Sequence, residues 1–160
     1  MKYTFRQPAA EDVEYVAKHL RRDNKQELTA FYGAGHELDI IKDSVKYSEA
    51  VGCFYINDTP VAIYGIRRPA TVCSVQRVWL LMTSETLRHK LVIGRHTKHW
   101  LKEIVAAYGP VSNIVNADNT EILKWLGWLG AKIEPAKPAG IYNLPHRVFY
   151  FDESILKESD

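Results

Sequence analysis

The 160-residue sequence predicts an α/β fold: a mixed, mostly antiparallel sheet of six or seven strands with about four helices and one central parallel βαβ unit. Three observations predict it. Three strand-like segments follow one another between residues 51 and 83 with no helical spacing among them, as in an antiparallel meander. The period then changes, because Ile93, Thr97, Trp100, Ile104 and Tyr108 recur at three and four before a new strand-like run opens at Val111. Finally, 46% of the residues are hydrophobic and 25% charged, the balance of a globular chain that buries a core.

Taken in order, Tyr3 to Arg6 reads as a short strand. Pro8 with Glu11 and Asp12 marks a helix start, since proline suits the first turn and acids suit the positive end of the dipole. Val13, Val16, Ala17 and Leu20 carry that helix to about Arg22, and a second short helix over 24–31 stops at Gly33 and Gly35. Segments 51–56 and 61–66 are rich in β-branched and aromatic residues and flank Asn57-Asp58-Thr59-Pro60, a hairpin signal. Segment 75–83 is apolar enough at its far end to be a central strand. The helix of 90–108 is stopped by Gly109-Pro110, and 111–116 is the next strand. Asn119-Thr120-Glu121 caps a helix with an apolar face of Ile122, Trp125, Leu126 and Leu129, closed by Gly130. A strand near Ile133, a Pro/Gly-rich loop over 135–145 and a strand over 147–151 complete the order β-αα-β-β-β-α-β-α-β-β. No repeat or linker interrupts it, so residues 1–160 are expected to form a single domain.

Composition excludes several classes. Cys53 and Cys73 stand 20 positions apart in apolar surroundings with no CxxC spacing, so buried, reduced thiols in a cytosolic protein are expected. The N-terminus lacks the apolar core of a signal peptide, and no run approaches the ~20 apolar residues of a membrane span; no membrane partner is expected. A net charge of +2 argues against a nucleic-acid partner. The charge is unevenly spread, however. Arg88, Lys90, Arg95, Lys98 and Lys102 cluster with His89, His96 and His99, and the acids nearby are Glu85 and Glu103. Such a segment suits an anion, and it opens the helix after the central strand, where ligands of open α/β sheets gather. The alternative is a solvated basic face. The histidines have no cysteine or carboxylate cluster beside them, so no metal site is expected. Trp100, Trp125 and Trp128 read as core anchors.

Two stretches resemble the GNAT superfamily of acyl-CoA-dependent N-acyltransferases: Trp79-Leu80-Leu81-Met82-Thr83 through Trp100, and residues 116–131, where Asn119, Trp125 and Gly130 fall in register with the family's Asn-aromatic-Gly helix. The likeness extends over essentially the whole chain. It implies a GNAT-type fold and transfer of an acetyl group from acetyl-CoA to a primary amine. It also implies that Leu81, Met82 and Thr83 meet the pantetheine arm, that Arg88, Lys90, Gly94 and Arg95 meet the phosphates, and that Asn119 touches the cofactor as well as capping its helix. Glu85 is the nearest carboxylate to a strand that has none and is the candidate base; Tyr142 in the late loop is the candidate acid.

A narrower resemblance rests on Trp79 with Thr83-Ser84, the basic helix, Asn119-Thr120, Ile122-Leu123-Lys124 and Leu129-Gly130-Ala131. These look like the GNAT-like internal virion protein A family of short-tailed lytic bacteriophages, well over 75–151 and loosely before that. This implies a host or phage protein as acceptor and the host cytoplasm as location, with packaging in the virion left open. Two departures stand against the superfamily's pattern. Its phosphate loop, Gln/Arg-x-x-Gly-x-Gly/Ala, aligns with residues 89–94 and matches only at Gly94, and Leu126 stands where the superfamily carries its tyrosine acid. They keep open an alternative, a GNAT-like internal virion or host-interaction protein without catalysis.

Overall fold

The computed structural model describes residues 1–68 and 75–157. The described chain divides into two compact units, Met1–Arg68 with Val78–Arg88, and the remainder. The expectation for Cys73 falls outside the described residues.

The first unit is built around a hairpin. β2 (Ser48–Ile56) and β3 (Thr59–Arg67) pair antiparallel, and the reversal between them takes only Asn57 and Asp58, at φ of 49° and 68°. Two left-handed residues give the type I′ turn that suits twisted strands, and Asn and Asp tolerate that backbone. Thr59 and Pro60 therefore belong to β3, although the composition places them in the turn. β1 (Tyr3–Arg6) flanks β2, and β4 (Gln76–Met82) lies beside β3. Gly65 is required where it stands: a Cβ there would lie 2.6 Å from the Ala50 carbonyl oxygen and 2.9 Å from the Trp79 ring.

Three helices serve this unit. α1 (Ala10–Lys18) ends earlier than its apolar spacing suggests, and Leu20 leaves the helix to bridge antiparallel with Thr83. α2 covers Arg22–Tyr32. α3 (Glu37–Tyr47) lies where the sequence reading has no element; Leu38, Ile41 and Val45 form its inner stripe. Val13, Val16, Ile41, Cys53, Tyr55, Ile63, Trp79 and Leu81 make the core. Burial pushes the Cys53 thiol up to about 12, so it stays protonated and inert at neutral pH. Tyr55 donates to Asp12 Oδ2 at 2.6 Å, and the same oxygen accepts the Ala9 N–H at 2.8 Å, which steadies the start of α1.

In the second unit α4 (Lys90–Tyr108) leads into β5 (Val111–Asn116), which pairs parallel with the first two residues of β4, Gln76↔Val111 and Arg77↔Ser112. This is the expected βαβ unit. α5 (Thr120–Leu129) follows, then β6 (Lys132–Ile133), β7 (Lys137–Ala139) and β8 (Leu144–Phe151), which pairs antiparallel with β5, β6 and β7. The segment expected as a loop over 135–145 is thus largely a hairpin, whose turn holds Gly140 and Asn143 at positive φ. Ile93, Leu101, Ile104, Val105, Val115, Leu129 and Phe151 are buried here. Among the described residues the sheet has eight strands, mostly antiparallel with one parallel pair, and there are five α-helices.

Candidate functional site

In the first unit the end of β4 is fully engaged. Thr83 donates its N–H to the Val61 carbonyl at 2.8 Å, on the β3 side. Successive strand residues turn their backbone groups to opposite edges, so Met82 presents its N–H and C=O away from β3. Both are taken. The N–H donates to Asn24 Oδ1 at 2.7 Å, and the C=O accepts the Arg21 N–H at 2.9 Å. The Arg21 guanidinium donates to both oxygens of Asp23 at 3.1 Å and reaches Thr86 Oγ1 at 3.3 Å. Thr86 in turn donates to the Thr83 carbonyl at 2.7 Å. Leu81, Met82 and Thr83 are all buried, and the Thr83 hydroxyl has no hydrogen-bond partner. Glu85 is exposed on a short 3-10 helix (Ser84–Arg88).

The second unit holds the basic cluster. The residue before α4, His89, makes no side-chain cap, and no acid stands in the helix's first turn. The leading N–H groups of an α-helix have no intrahelical acceptor, and the dipole adds positive potential there. Lys90 and Arg95 are exposed at this end, and Arg88, the last residue of the first unit, is exposed two positions before α4 in the chain. The cluster is not uniform further along. Lys98 sits over the Trp128 ring at 4.9 Å, and His99 lies 2.9 Å from Glu103. His96 is pulled down to about 4 by burial and then by repulsion from His99, so it is neutral at pH 7. Gly94 is buried, and a Cβ on it would come within 3.0 Å of the Trp128 ring and 3.4 Å of Trp125 Nε1. The close approach of α5's indoles is by itself a reason for glycine there.

Asn119 caps α5, its Oδ1 accepting the Ile122 N–H at 3.3 Å. Gly130, at φ 102°, ends the helix in left-handed backbone, and Ala131 donates to the Leu126 carbonyl at 2.9 Å. Leu126 is a core residue. Tyr142 is 59% exposed on the β7–β8 turn. Among the described residues no group of three His, Cys, Asp or Glu is placed to hold a metal ion, and no helix is long and apolar enough to cross a membrane.

No protein-family model matches this sequence, and no curated protein does. Solved structures match it over nearly the full length. Ard1 from Thermoplasma volcanium is similar at a TM-score of 0.72 with 17% identity, covering 95% of this chain and 98% of that one. An acetyltransferase of the GNAT family from Streptococcus pneumoniae matches at 0.64 with 14% identity, over 94% and 99%. The fold is the GNAT fold. Spermidine N-acetyltransferase from Vibrio cholerae, solved with CoA and spermine, shares it at 0.69 with 9% identity, over 98% of each chain. With no family model matching, the narrower likeness to the phage internal virion protein A family remains a likeness.

The two segments expected to meet an acyl-CoA differ in their fit to it. The uncapped, acid-free start of α4 suits phosphates. The Met82 edge of β4 suits a pantetheine arm in chemistry, since it offers one N–H and one C=O, but these groups are bonded to Asn24 in the first turn of α2 and to Arg21 just before it. Neither Arg21 nor Asn24 is among the site residues that the sequence suggests. Asn24 pairs with a backbone N–H 58 positions along the chain, and nothing in the local pattern marks it.

Proposed function

We propose that the protein is an N-acetyltransferase that moves an acetyl group from acetyl-CoA to a primary amine. One observation carries this reading: within a GNAT fold, α4 is left uncapped and acid-free at the point where Arg88, Lys90 and Arg95 are exposed. Charge-assisted bonds from these residues and from the first-turn N–H groups suit the CoA phosphates, with Gly94 in the same turn region and Asn119 as a further contact. Leu81, Met82 and Thr83 are the segment for the pantetheine arm. The reaction is attack of a neutral amine on the thioester carbonyl; the carbon–nitrogen bond forms, the carbon–sulfur bond breaks, and the amine's proton leaves to a base. Glu85 is the candidate base and Tyr142 the candidate acid for the departing thiolate, and both are exposed side chains. The acceptor we favour is a protein amine in a phage-infected host cytoplasm, on the narrower likeness alone.

A second reading is favoured by Leu126, which is buried and unable to donate a proton at the position of the superfamily's tyrosine. On this reading the chain is a GNAT-fold internal virion or host-interaction protein without turnover. Calorimetric titration with acetyl-CoA, followed by an assay for free thiol with amine acceptors, separates the two. Binding with thiol release supports the enzyme. Absence of any binding at millimolar acetyl-CoA overturns it and leaves the second reading.

A further inference from the structure

A pantetheine arm that pairs with β4 in an extended conformation needs a backbone N–H and C=O turned away from β3. Thr83 spends its N–H on Val61, so at this end of the strand the pair facing away belongs to Met82. Arg21 and Asn24 hold that pair at 2.9 and 2.7 Å, and the Leu20–Thr83 bridge continues the contact. Leu20 and Arg21 of the linker therefore meet the end of β4 through the backbone, and the Asn24 side chain, in the first turn of α2, completes the contact. Ligand and linker compete for the same two groups.

We propose that residues 20–24 are a latch on the Met82 edge of β4, and that the pantetheine arm enters by displacing Asn24 Oδ1 and the Arg21 N–H from Met82. This rests on the acyl-CoA reading above. The exchange conserves hydrogen bonds at Met82, because the arm's amides offer one acceptor and one donor in place of those withdrawn. The latch is also built to leave without stranding a charge. Arg21 is paired in a two-pronged fashion with Asp23, two residues away in the first turn of α2, so the ion pair moves as one piece while the guanidinium's contacts to Thr86 Oγ1 and the Met82 sulfur are broken. The moving piece is the stretch between Lys18 and Arg22 together with the first turn of α2, which carries Asp23 and Asn24. A closed latch lowers the apparent affinity by the fraction of molecules that are open.

The test is titration with CoA of the full chain and of two variants, read by calorimetry and by the amide resonances of Met82 and of the Asn24 side chain. Asn24→Ala removes one tie, so CoA should bind at least fivefold more tightly and the Met82 amide should exchange faster. Asn24→Asp keeps an acceptor oxygen and should show no gain in affinity. In the unaltered protein, which needs no variant to fold, CoA should shift both the Met82 amide and the Asn24 side-chain amide. Equal affinities in all three proteins with the Asn24 resonance unmoved by bound CoA overturn the latch and leave the acyl-CoA reading standing. No heat from any of them, with Met82 exchanging freely in Asn24→Ala, overturns the acyl-CoA reading and the latch with it.

Discussion

α4 and α5 begin in opposite ways. Asn119 closes α5 by accepting a bond from Ile122, and Glu121 in the first turn complements the dipole. α4 has His89 at the same position with no cap and Lys90 as its first residue, and it is the one α-helix among the described residues with no acid in its first turn. A helix that satisfies its own N-terminus gains little from an anion. One that leaves its N–H groups unspent and surrounds them with arginine and lysine gives up local stability, and an anionic ligand restores it. The contrast gives α5 a structural start, and on the acyl-CoA proposal it makes the start of α4 the binding element.

The largest expected effect tests the binding role. Arg88→Ala with Lys90→Ala should weaken CoA binding more than tenfold, about 1.4 kcal/mol, while urea unfolding stays within about 0.5 kcal/mol of the parent. An unchanged titration curve would return these side chains to the solvated face. Next comes the cap. Asn119→Ala should lower unfolding free energy by about 1 kcal/mol, whereas Asn119→Asp should leave it nearly unchanged. Titrating Asn119→Asp with CoA then reports whether the residue also touches the ligand, since a carboxylate beside the phosphates should reduce affinity.

A smaller effect follows from making α4 resemble α5. His89→Asp supplies both a cap and an acid, and should raise stability by about 0.5 kcal/mol while weakening CoA binding. A gain in both would break the comparison. The smallest effect is a pH slope from His96. Its folded value of about 4 lies below the ordinary histidine value of 6.5, so below pH 6.5 the unfolded chain takes up a proton that the folded one refuses. Stability should fall as pH drops from 6.5 toward 4 and be unaffected above that window. The group is partly exposed and solvent screening keeps the slope shallow. Replacing His96 with Gln should flatten it in denaturation curves at pH 7 and 5.

The order of elements was legible wherever a signal is local. The change of period after residue 83, the Asn119 cap and the glycine stops at 109 and 130 each depend on residues within one or two turns of one another, and each is found in the structure. α3 carries the same kind of signal in Leu38, Ile41 and Val45, at spacings of three and four. The glycines before it and the polar residues between these positions mask that signal as a loop. β7 is hidden for the converse reason: Pro138 and Gly140 suggest irregular chain, yet Lys137–Ala139 needs only a neighbour, and β8 supplies one.

By itself, then, the sequence determined the order of strands and helices apart from α3 and β7, the parallel βαβ unit, the self-capped α5 and the basic opening of α4. Periodicity, caps and charge are written in neighbouring residues. Tertiary structure alone decided that Asn24 and Arg21 occupy Met82, that Gly94 admits the indoles of Trp125 and Trp128, and that Tyr142 stands exposed at a hairpin tip. Each of these depends on which distant segment is brought alongside. A hydrogen bond between Asn24 and a backbone N–H 58 residues later has no composition, period or spacing of its own; it exists because the sheet and its helices hold the two ends in place.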